Sequence, residues 1–136
     1  FTFLGFDFYW ARTRNGKRTV KRRTNAKKMN ESLRGMKKWI RANRSTTQKK
    51  LGETLRRKLQ GYYNYYGVRG NTKSLWKYQH LCQRLVFKWL NRRSQRRSYN
   101  WHGFSEMWKS WGMPAPRMVE GAYEPQTRLQ LSYVYT

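Results

Sequence analysis

The side chains that could carry acid–base or metal chemistry are few in this chain of 136 residues. Catalysis by metal ions needs several carboxylates that converge on the same ions. The six acids are scattered along the chain instead, at Asp7, Glu31, Glu53, Glu106, Glu120 and Glu124. The sequence therefore predicts no catalytic centre and no metal site.

Two histidines and one cysteine are the other candidates for catalysis, and none has a suitable neighbour in the sequence. His80 and Cys82 are two residues apart on a predicted helix, so their side chains point to different sides of it. His102 lies beside Asn100, which is only a weak likeness to the His–Asn pairs of some nucleases. We therefore predict that Cys82 is a small apolar core residue and that this chain is not an enzyme by itself.

The abundant residue types point to nucleic acid. Lysine and arginine number 31 against six acids, which gives a net charge of +25 at pH 7. A compact chain with this charge repels itself unless a polyanion lies against it. Disordered basic tails have few aromatic residues, whereas this chain has seven Trp, ten Tyr and six Phe. We therefore predict a folded nucleic-acid-binding protein, and the lack of a long apolar run indicates no membrane partner.

Basic side chains are concentrated in two stretches that contain no acid. The first runs from Arg12 to Lys28, and the second is "NRRSQRRS" at residues 91–98. The second stretch has arginine at every basic position, and the guanidinium group suits phosphate binding and base stacking. From these stretches and from polar helix positions we predict RNA contacts at Lys17, Arg18, Lys21, Arg22, Arg23, Lys27, Lys28, Arg56, Arg57, Asn64, Tyr65, Arg69, Asn71, Asn91, Arg92, Arg93, Arg96 and Arg97.

The segment "GYYNYYGVRGN" at residues 61–71 combines two kinds of tyrosine. Tyr62, Tyr63 and Tyr66 continue a stripe of helical period that starts with leucines, so they are predicted to belong mainly to the core. Asn64 and Tyr65 fall off that stripe, which makes them candidates for contacts to RNA sugars or bases. Asn71 or the following threonine is predicted to cap the next helix.

The predicted fold is mainly α-helical and begins with a β-hairpin. A strand that is apolar on both faces is predicted to run to about Thr13, and a two-residue Asn15–Gly16 turn returns the chain. Three principal helices follow, from near Thr24, from after Thr46 or Thr47, and from Thr72, with a short fourth helix at residues 101–112. The predicted core comprises Leu33, Ile40, Leu51, Leu55, Leu59, Leu75, Leu85 and Trp89.

These elements predict three regions. Residues 1–23 form the hairpin, residues 24–118 form the helical domain, and residues 119–136 form a tail that is either a strand or disordered. Because a strand that is apolar on both faces requires cover on both sides, we expect this chain to be a piece of a larger protein.

The order of several segments resembles the C-terminal part of group II intron reverse transcriptases. "FTFLGFDF" is similar to the closing strands of their palm domain. "MKKWIR", "LRRKLQGYYNYYGVRGN", "KWLNRRSQRR" and "WHGFSEMW" followed by "MPAPR" resemble their maturase-specific thumb, also called domain X. The resemblance spans most of the chain, from Phe1 to Met118.

This resemblance implies a three-helix thumb bundle that follows the end of the palm and clamps group II intron RNA for splicing. In the intact mobile-element enzyme, an RNA-directed DNA polymerase, the thumb also holds the RNA/DNA template–primer duplex. The implied partners are intron RNA, that duplex and the remainder of the reverse transcriptase, in a bacterial cytoplasm or an organelle. The Tyr-Ala-Asp-Asp motif and the Mg²⁺ ions belong to the parent polymerase, so no cofactor is expected in this fragment.

Two other functions remain open at this point. One is a stand-alone structural RNA-binding protein, similar to a ribosomal protein. The two-sided apolar first strand argues against it. A catalytically active chain would require the scattered acids to converge in the fold.

Overall fold

The computed structural model describes residues 2–92 and 99–119. In these ranges the order of elements is β1 (Thr2–Phe3), β2 (Phe6–Arg12), β3 (Arg18–Thr24), α1 (Ala26–Asn43), α2 (Gln48–Tyr66), α3 (Thr72–Asn91) and α4 (Trp101–Ser110). The predicted fold class, a mainly α-helical chain with an N-terminal hairpin and a short fourth helix, is confirmed. The predicted tail lies outside the described residues from position 120 onward.

The sheet has one strand more than the sequence analysis predicts. The chain reverses at Leu4–Gly5, so the predicted first strand is divided into β1 and β2, and the antiparallel order is β1–β2–β3. Leu4 and Gly5 both have positive φ, 53° and 86°, as a two-residue type I′ turn requires. The continuous apolar pattern concealed this turn, because leucine rarely adopts the left-handed conformation.

The turn between β2 and β3 is also different from the prediction. Thr13 N–H donates to the Lys17 carbonyl, and Gly16 N–H donates to the Thr13 carbonyl, each at 2.9 Å. The loop therefore contains three residues, Arg14 to Gly16, instead of the predicted Asn15–Gly16 pair. Gly16 alone takes the left-handed conformation, with φ 78°, which is typical of three-residue hairpin loops.

Side-chain caps set where the helices begin. Asn25 caps α1, because its Oδ1 accepts from Lys28 N–H at 3.2 Å; the helix therefore begins two residues after Thr24, near which its start is predicted. Thr47 caps α2 through its Oγ1, and Asn100 caps α4 by accepting from Gly103 N–H at 2.7 Å. Each helix then exposes a basic or polar side, and none in the described ranges is long and apolar enough to span a membrane.

The three long helices run up, down and up. Short turns join them, and α1 packs mainly against α3. Arg41 near the end of α1 lies over Trp89 near the end of α3, with 5.1 Å between the guanidinium carbon and the ring centroid. The helices α1 and α3 are therefore parallel, and α2 is antiparallel to both.

The core agrees largely with the prediction. Ile40, Leu51, Leu55, Leu59, Leu75 and Trp89 are buried, and so is Tyr63 of the predicted tyrosine stripe. Val86 and Leu90, which the prediction omitted, are also buried. Leu33 and Leu85 are only half-buried, because they face a groove between α1 and α3. Cys82 is fully buried as predicted. Burial raises the pKa of its thiol to about 12, so the sulfur stays protonated and unreactive at neutral pH.

A glycine near the start of α2 makes room for the residue that follows α4. The ring of Trp111 lies so close to Gly52 that a Cβ there would be 2.5 Å from the Trp111 Cγ. The chain beyond Trp111 then returns to the end of α2, where Val119 N–H donates to the Gly67 carbonyl at 2.8 Å. Val119 is buried at this point, so the last described residue still belongs to the packed body.

Candidate nucleic-acid interface

One face of the sheet combines arginines with aromatic rings. Across the strands, Phe8 pairs with Arg22, Trp10 with Val20 and Arg12 with Arg18. The Arg18 guanidinium carbon is 4.7 Å from the centroid of the Trp10 ring, and that of Arg22 is 6.0 Å from the centroid of Phe6. Trp10 is 66% exposed. Phe6 is buried, so of the two predicted contacts on this face only Arg18 sits beside aromatic surface that a partner can reach.

The opposite face of the sheet is also basic. Arg23 lies over Tyr9, with 5.2 Å between its guanidinium carbon and the ring centroid, and Lys21 is the cross-strand partner of Tyr9. Asp7 is on this face, where its Oδ1 accepts from Asn25 Nδ2 at 2.9 Å and its Oδ2 is 4.0 Å from Arg23 Nε. Asp7 thereby links β2 to the start of α1, which is a structural role.

The acids do not assemble into a site in the described part of the chain. Glu31 pairs with Lys28 at 3.5 Å and Glu106 with Lys109 at 3.7 Å, both between neighbouring turns of one helix. No group of three or more histidine, cysteine, aspartate or glutamate side chains within residues 2–92 and 99–119 is placed to hold a metal ion.

Several predicted contacts are exposed but lie on different elements. Lys17 directly precedes β3, Lys27 is in the first turn of α1, Arg56 and Arg57 are on the outer side of α2, and Arg69 is in the turn after α2. These residues are far apart in the sequence, and together with the basic residues of the sheet they distribute positive charge over several elements of the fold. This distribution is suited to a large polyanion rather than to a small ligand.

Asn64 and Tyr65 make contacts within the protein. The Tyr65 hydroxyl donates to the Leu4 carbonyl at 2.7 Å, and its ring stacks on Phe6 with 5.8 Å between centroids. The Asn64 Oδ1 accepts from Gln60 Nε2 at 3.0 Å. Both residues are half-buried. Tyr65 therefore fixes the Leu4–Gly5 turn against α2, a role that the helical stripe alone does not reveal.

The other tyrosines of the segment form a packed aromatic group. Tyr62 stacks on Tyr78 with 3.6 Å between ring centroids, and Tyr66 is 4.5 Å from Tyr62. Tyr63 is completely buried, whereas Tyr62 and Tyr66 are half-buried against the core. Burial raises the pKa of Tyr62, Tyr63 and Tyr78 above that of an exposed tyrosine. The prediction that these residues belong mainly to packing is confirmed.

Asn71 was predicted as an RNA contact, but it is fully buried in the structure. Its Oδ1 accepts from Thr24 N–H at 2.7 Å, and its Nδ2 donates to Thr24 Oγ1 and to the Tyr66 carbonyl, both at 2.8 Å. Asn71 precedes α3 at the cap position, as predicted, although its side chain caps no N–H of that helix. All of its polar atoms serve to join β3, α2 and α3, so it is not part of the interface.

Replacing Asn71 with alanine is expected to lower the free energy of unfolding by about 2–3 kcal/mol, because Thr24 N–H and the Tyr66 carbonyl lose their partner inside the protein. Asn64→Ala is the matched control, since Asn64 is half-buried and its side-chain amide accepts a hydrogen bond from Gln60 of its own helix. Urea denaturation of both variants measures the difference. Equal stability of the two variants would show that the buried amide does not hold the sheet to the helices.

The structure brings together a basic cluster that the sequence analysis largely missed. Arg41, Arg44, Lys88 and Arg92 surround one ring, that of Trp89, with their charged groups 5.1, 5.4, 5.7 and 4.9 Å from its centroid. Only Arg92 was predicted as a contact. The spacing of the basic residues in the sequence indicates part of this cluster, because residues three or four apart share one side of a helix. Each helix contributes only half of the cluster, however, so the sequence of one helix does not reveal the whole.

The remaining predicted contacts follow the end of α3. Asn91 is half-buried, and its Oδ1 accepts from Tyr99 N–H at 2.8 Å, which holds the chain near the start of α4. Arg93, Arg96 and Arg97 lie outside the described residues. Their assignment as RNA contacts stays a prediction.

Comparison with known proteins identifies the helical region. No curated protein and no solved structure matches the chain significantly. The family model of the group II intron maturase-specific domain matches residues 26–108, from the start of α1 almost to the end of α4. This match spans more than half of the chain and agrees with the resemblance in the segments around the tyrosines and the arginines. The chain therefore belongs to the group II intron maturase-specific domain family.

Proposed function

We propose that this chain binds folded group II intron RNA and clamps it for splicing. The observation that carries the proposal is the charge distribution: basic side chains cover the Lys21 and Arg23 face of the sheet and the outer sides of the helices, while the acids Asp7, Glu31 and Glu106 each have a cation nearby. Folded RNA is recognised by shape and through its phosphates and 2′-hydroxyls, which a broad basic surface can contact at many points. Membership of the maturase-specific family supports intron RNA as the substrate.

We further propose that the sheet is the junction with the remainder of a reverse transcriptase. Phe3, Trp10 and Val20 are 55%, 66% and 50% exposed, although large apolar residues on a sheet usually face a core. β1 and β3 are the edges of the sheet, and exposed edges and apolar faces are sites where further protein packs. This surface favours a module of a larger polymerase over a stand-alone structural RNA-binding protein.

In that larger enzyme, the same helices would hold the RNA/DNA template–primer duplex. The duplex and the intron RNA present similar ribose–phosphate surfaces, so one basic helical surface can serve both. The polymerase chemistry itself would belong to the parent protein.

The proposal is tested by competition between RNAs. The chain is titrated with a labelled group II intron RNA, and unlabelled intron RNA or an unrelated structured RNA of the same length is added as competitor. We expect the intron RNA to compete at least about tenfold better, because shape-specific contacts add to the general phosphate attraction. Equal competition would reduce the function to general polyanion binding. A parallel assay measures excision of the intron from its precursor with and without the chain.

A further inference from the structure

A groove lies between the parallel helices α1 and α3. Its volume is about 710 Å³, within the range of ordinary ligand sites. Leu33 of α1 and Leu81, Leu85 and Phe87 of α3 provide apolar lining. Trp101 of α4 also lines it, with its ring 5.2 Å from that of Phe87 in an edge-to-face arrangement, and remains 41% exposed. The groove thus offers an accessible indole beside aliphatic surface.

Basic side chains accompany this apolar surface on both helices. Arg34 and Lys37 line the groove from α1, and Arg84 and Lys88 line it from α3. The spacing of three and four residues places each pair along one side of its helix. No acid is among the residues that line the groove within the described chain. These cations form one basic row on α1 and one on α3. Both rows continue past the end of the groove through the cations around Trp89, and the row on α3 extends about 12 Å from Arg84 to Arg92.

The helix dipoles explain only part of these rows. Cations are favoured in the last turn of a helix, which accounts for Arg41 and Lys88. The effect falls off within one turn, so it does not account for Arg34, Lys37 and Arg84, which lie further from the helix ends. Like charges on neighbouring helices repel each other, and an anion between them would relieve this repulsion.

The combination of an apolar groove and basic side chains along it fits one strand of nucleic acid better than a duplex. A duplex keeps its bases stacked inside and presents phosphates and sugars, which cannot use an apolar groove. An unpaired strand offers regularly spaced phosphates and base faces that stack on aromatic side chains and guanidinium groups. The exposed indole of Trp101 supplies the stacking surface, and the two rows supply the phosphate contacts.

We propose that the α1–α3 groove binds a single-stranded segment of RNA, with one unpaired base against Trp101 and the neighbouring phosphates on the two basic rows. The inference rests on the proposed function, since it specifies which feature of the RNA this surface takes. It assigns a site to residues that lie outside the contacts predicted from the sequence.

The test uses a short single-stranded RNA with one 2-aminopurine, a fluorescent base that is quenched on stacking, and a blunt duplex of the same length. In the parent chain, we expect binding of the single strand to quench this fluorescence. Trp101→Leu is expected to weaken single-strand binding about tenfold or more and to remove the quenching, while duplex affinity stays the same. Trp101→Phe should restore part of both effects. Trp76→Leu is the matched control, because Trp76 is 50% exposed on α3 and does not line the groove.

The basic rows are tested with Arg34→Gln combined with Arg84→Gln. We expect the slope of log affinity against log salt for the single strand to fall by about 1.4, or about 0.7 for each phosphate contact. Lys73→Gln combined with Lys77→Gln is the control on the first half of α3, away from the groove. Thermal melting confirms that each variant is folded.

Three results would overturn the inference. The first is that the parent chain does not bind the single strand. The second is that Trp101→Leu weakens the binding of single strand and duplex equally. The third is that polyglutamate displaces the single strand as well as RNA does, which would make the groove a site for an acidic peptide. If intron RNA still outcompetes unrelated RNA in any of these cases, only the groove assignment fails. If that preference is absent while the groove effects appear, the proposed function fails and the single-strand site remains.

Discussion

Gly67→Ala is expected to cause the largest loss of stability of any single substitution considered for this chain, about 4 kcal/mol or more. A Cβ at position 67 would lie 2.4 Å from the Tyr63 carbonyl oxygen, 2.6 Å from that of Arg117 and 3.1 Å from Val119 N. These are backbone atoms, so no flexible side chain can move aside. Relief of the clash must break either the hydrogen bond that ends α2, from Gly67 N–H to the Tyr63 carbonyl, or the one that docks Val119.

Gly61→Ala provides the opposite expectation on the same helix. No atom lies within 4 Å of the Cβ that this substitution adds, and residue 61 is inside α2. Alanine there is expected to raise the free energy of unfolding by up to about 1 kcal/mol, because glycine is a poor helix former. Urea denaturation of both variants measures the change in the free energy of unfolding, which is expected to be negative for Gly67→Ala and positive for Gly61→Ala. A Gly67→Ala variant as stable as the parent would contradict both the close end of α2 at Tyr63 and the docking of the chain around Val119.

The helices were predictable because their signals are local. Apolar residues at helical spacing located α1, α2 and α3, and Thr47 and Asn71 marked the positions where two of them begin. Leucines at the centre of a long apolar stripe are buried whatever the packing partner is. Leu33 and Leu85 were predicted as core residues but are only half-buried. They lie at the edge of the apolar stripes of α1 and α3, and whether a neighbouring helix covers that edge depends on how far the two helices diverge.

The contacts that join the sheet to the helices could not be predicted from the sequence. Asn71 resembles an ordinary cap or surface amide until the fold brings Thr24 within hydrogen-bonding distance, 47 residues away in sequence. Tyr65 lies off the leucine stripe of α2, yet a carbonyl of the Leu4–Gly5 turn occupies that side of the helix. In both cases the partner comes from the N-terminal sheet, whose position against α2 is a tertiary property.

The sequence predicted what kind of partner the basic surface suits, but not where that surface lies on the fold. Net charge indicates a polyanionic partner without specifying a face, and the prediction concentrated on stretches where basic residues are adjacent in sequence. The cluster around Trp89 instead combines residues from two helices at spacings of three and four. A comparison of basic rows between helices expected to be neighbours would have found it.

Affinity for intron RNA is expected to fall about a thousandfold or more when salt rises from about 50 to 200 mM. Each phosphate that a basic side chain neutralises releases condensed counterions, and six or more such contacts give a fall of this size. Basic side chains on the sheet, on α1 and on α2 are exposed in sufficient number to make these contacts. Titrations at several salt concentrations measure the slope of log affinity against log salt. A slope near one would show that most of the positive charge does not touch the RNA.

The slope also shows which predicted contacts take part. Lys17→Gln combined with Lys27→Gln removes one exposed cation from the start of the return strand of the hairpin and one from the first turn of α1. If both contact phosphate, we expect the slope to fall by about 1.8, or about 0.9 for each contact. Stability should be unchanged or slightly higher, because a cation in the first turn opposes the helix dipole. Lys17→Arg combined with Lys27→Arg keeps both charges and should retain the parent slope. If the glutamine pair also retains it, the RNA lies on another face, and the rows of α1 and α3 would then have to supply the phosphate contacts.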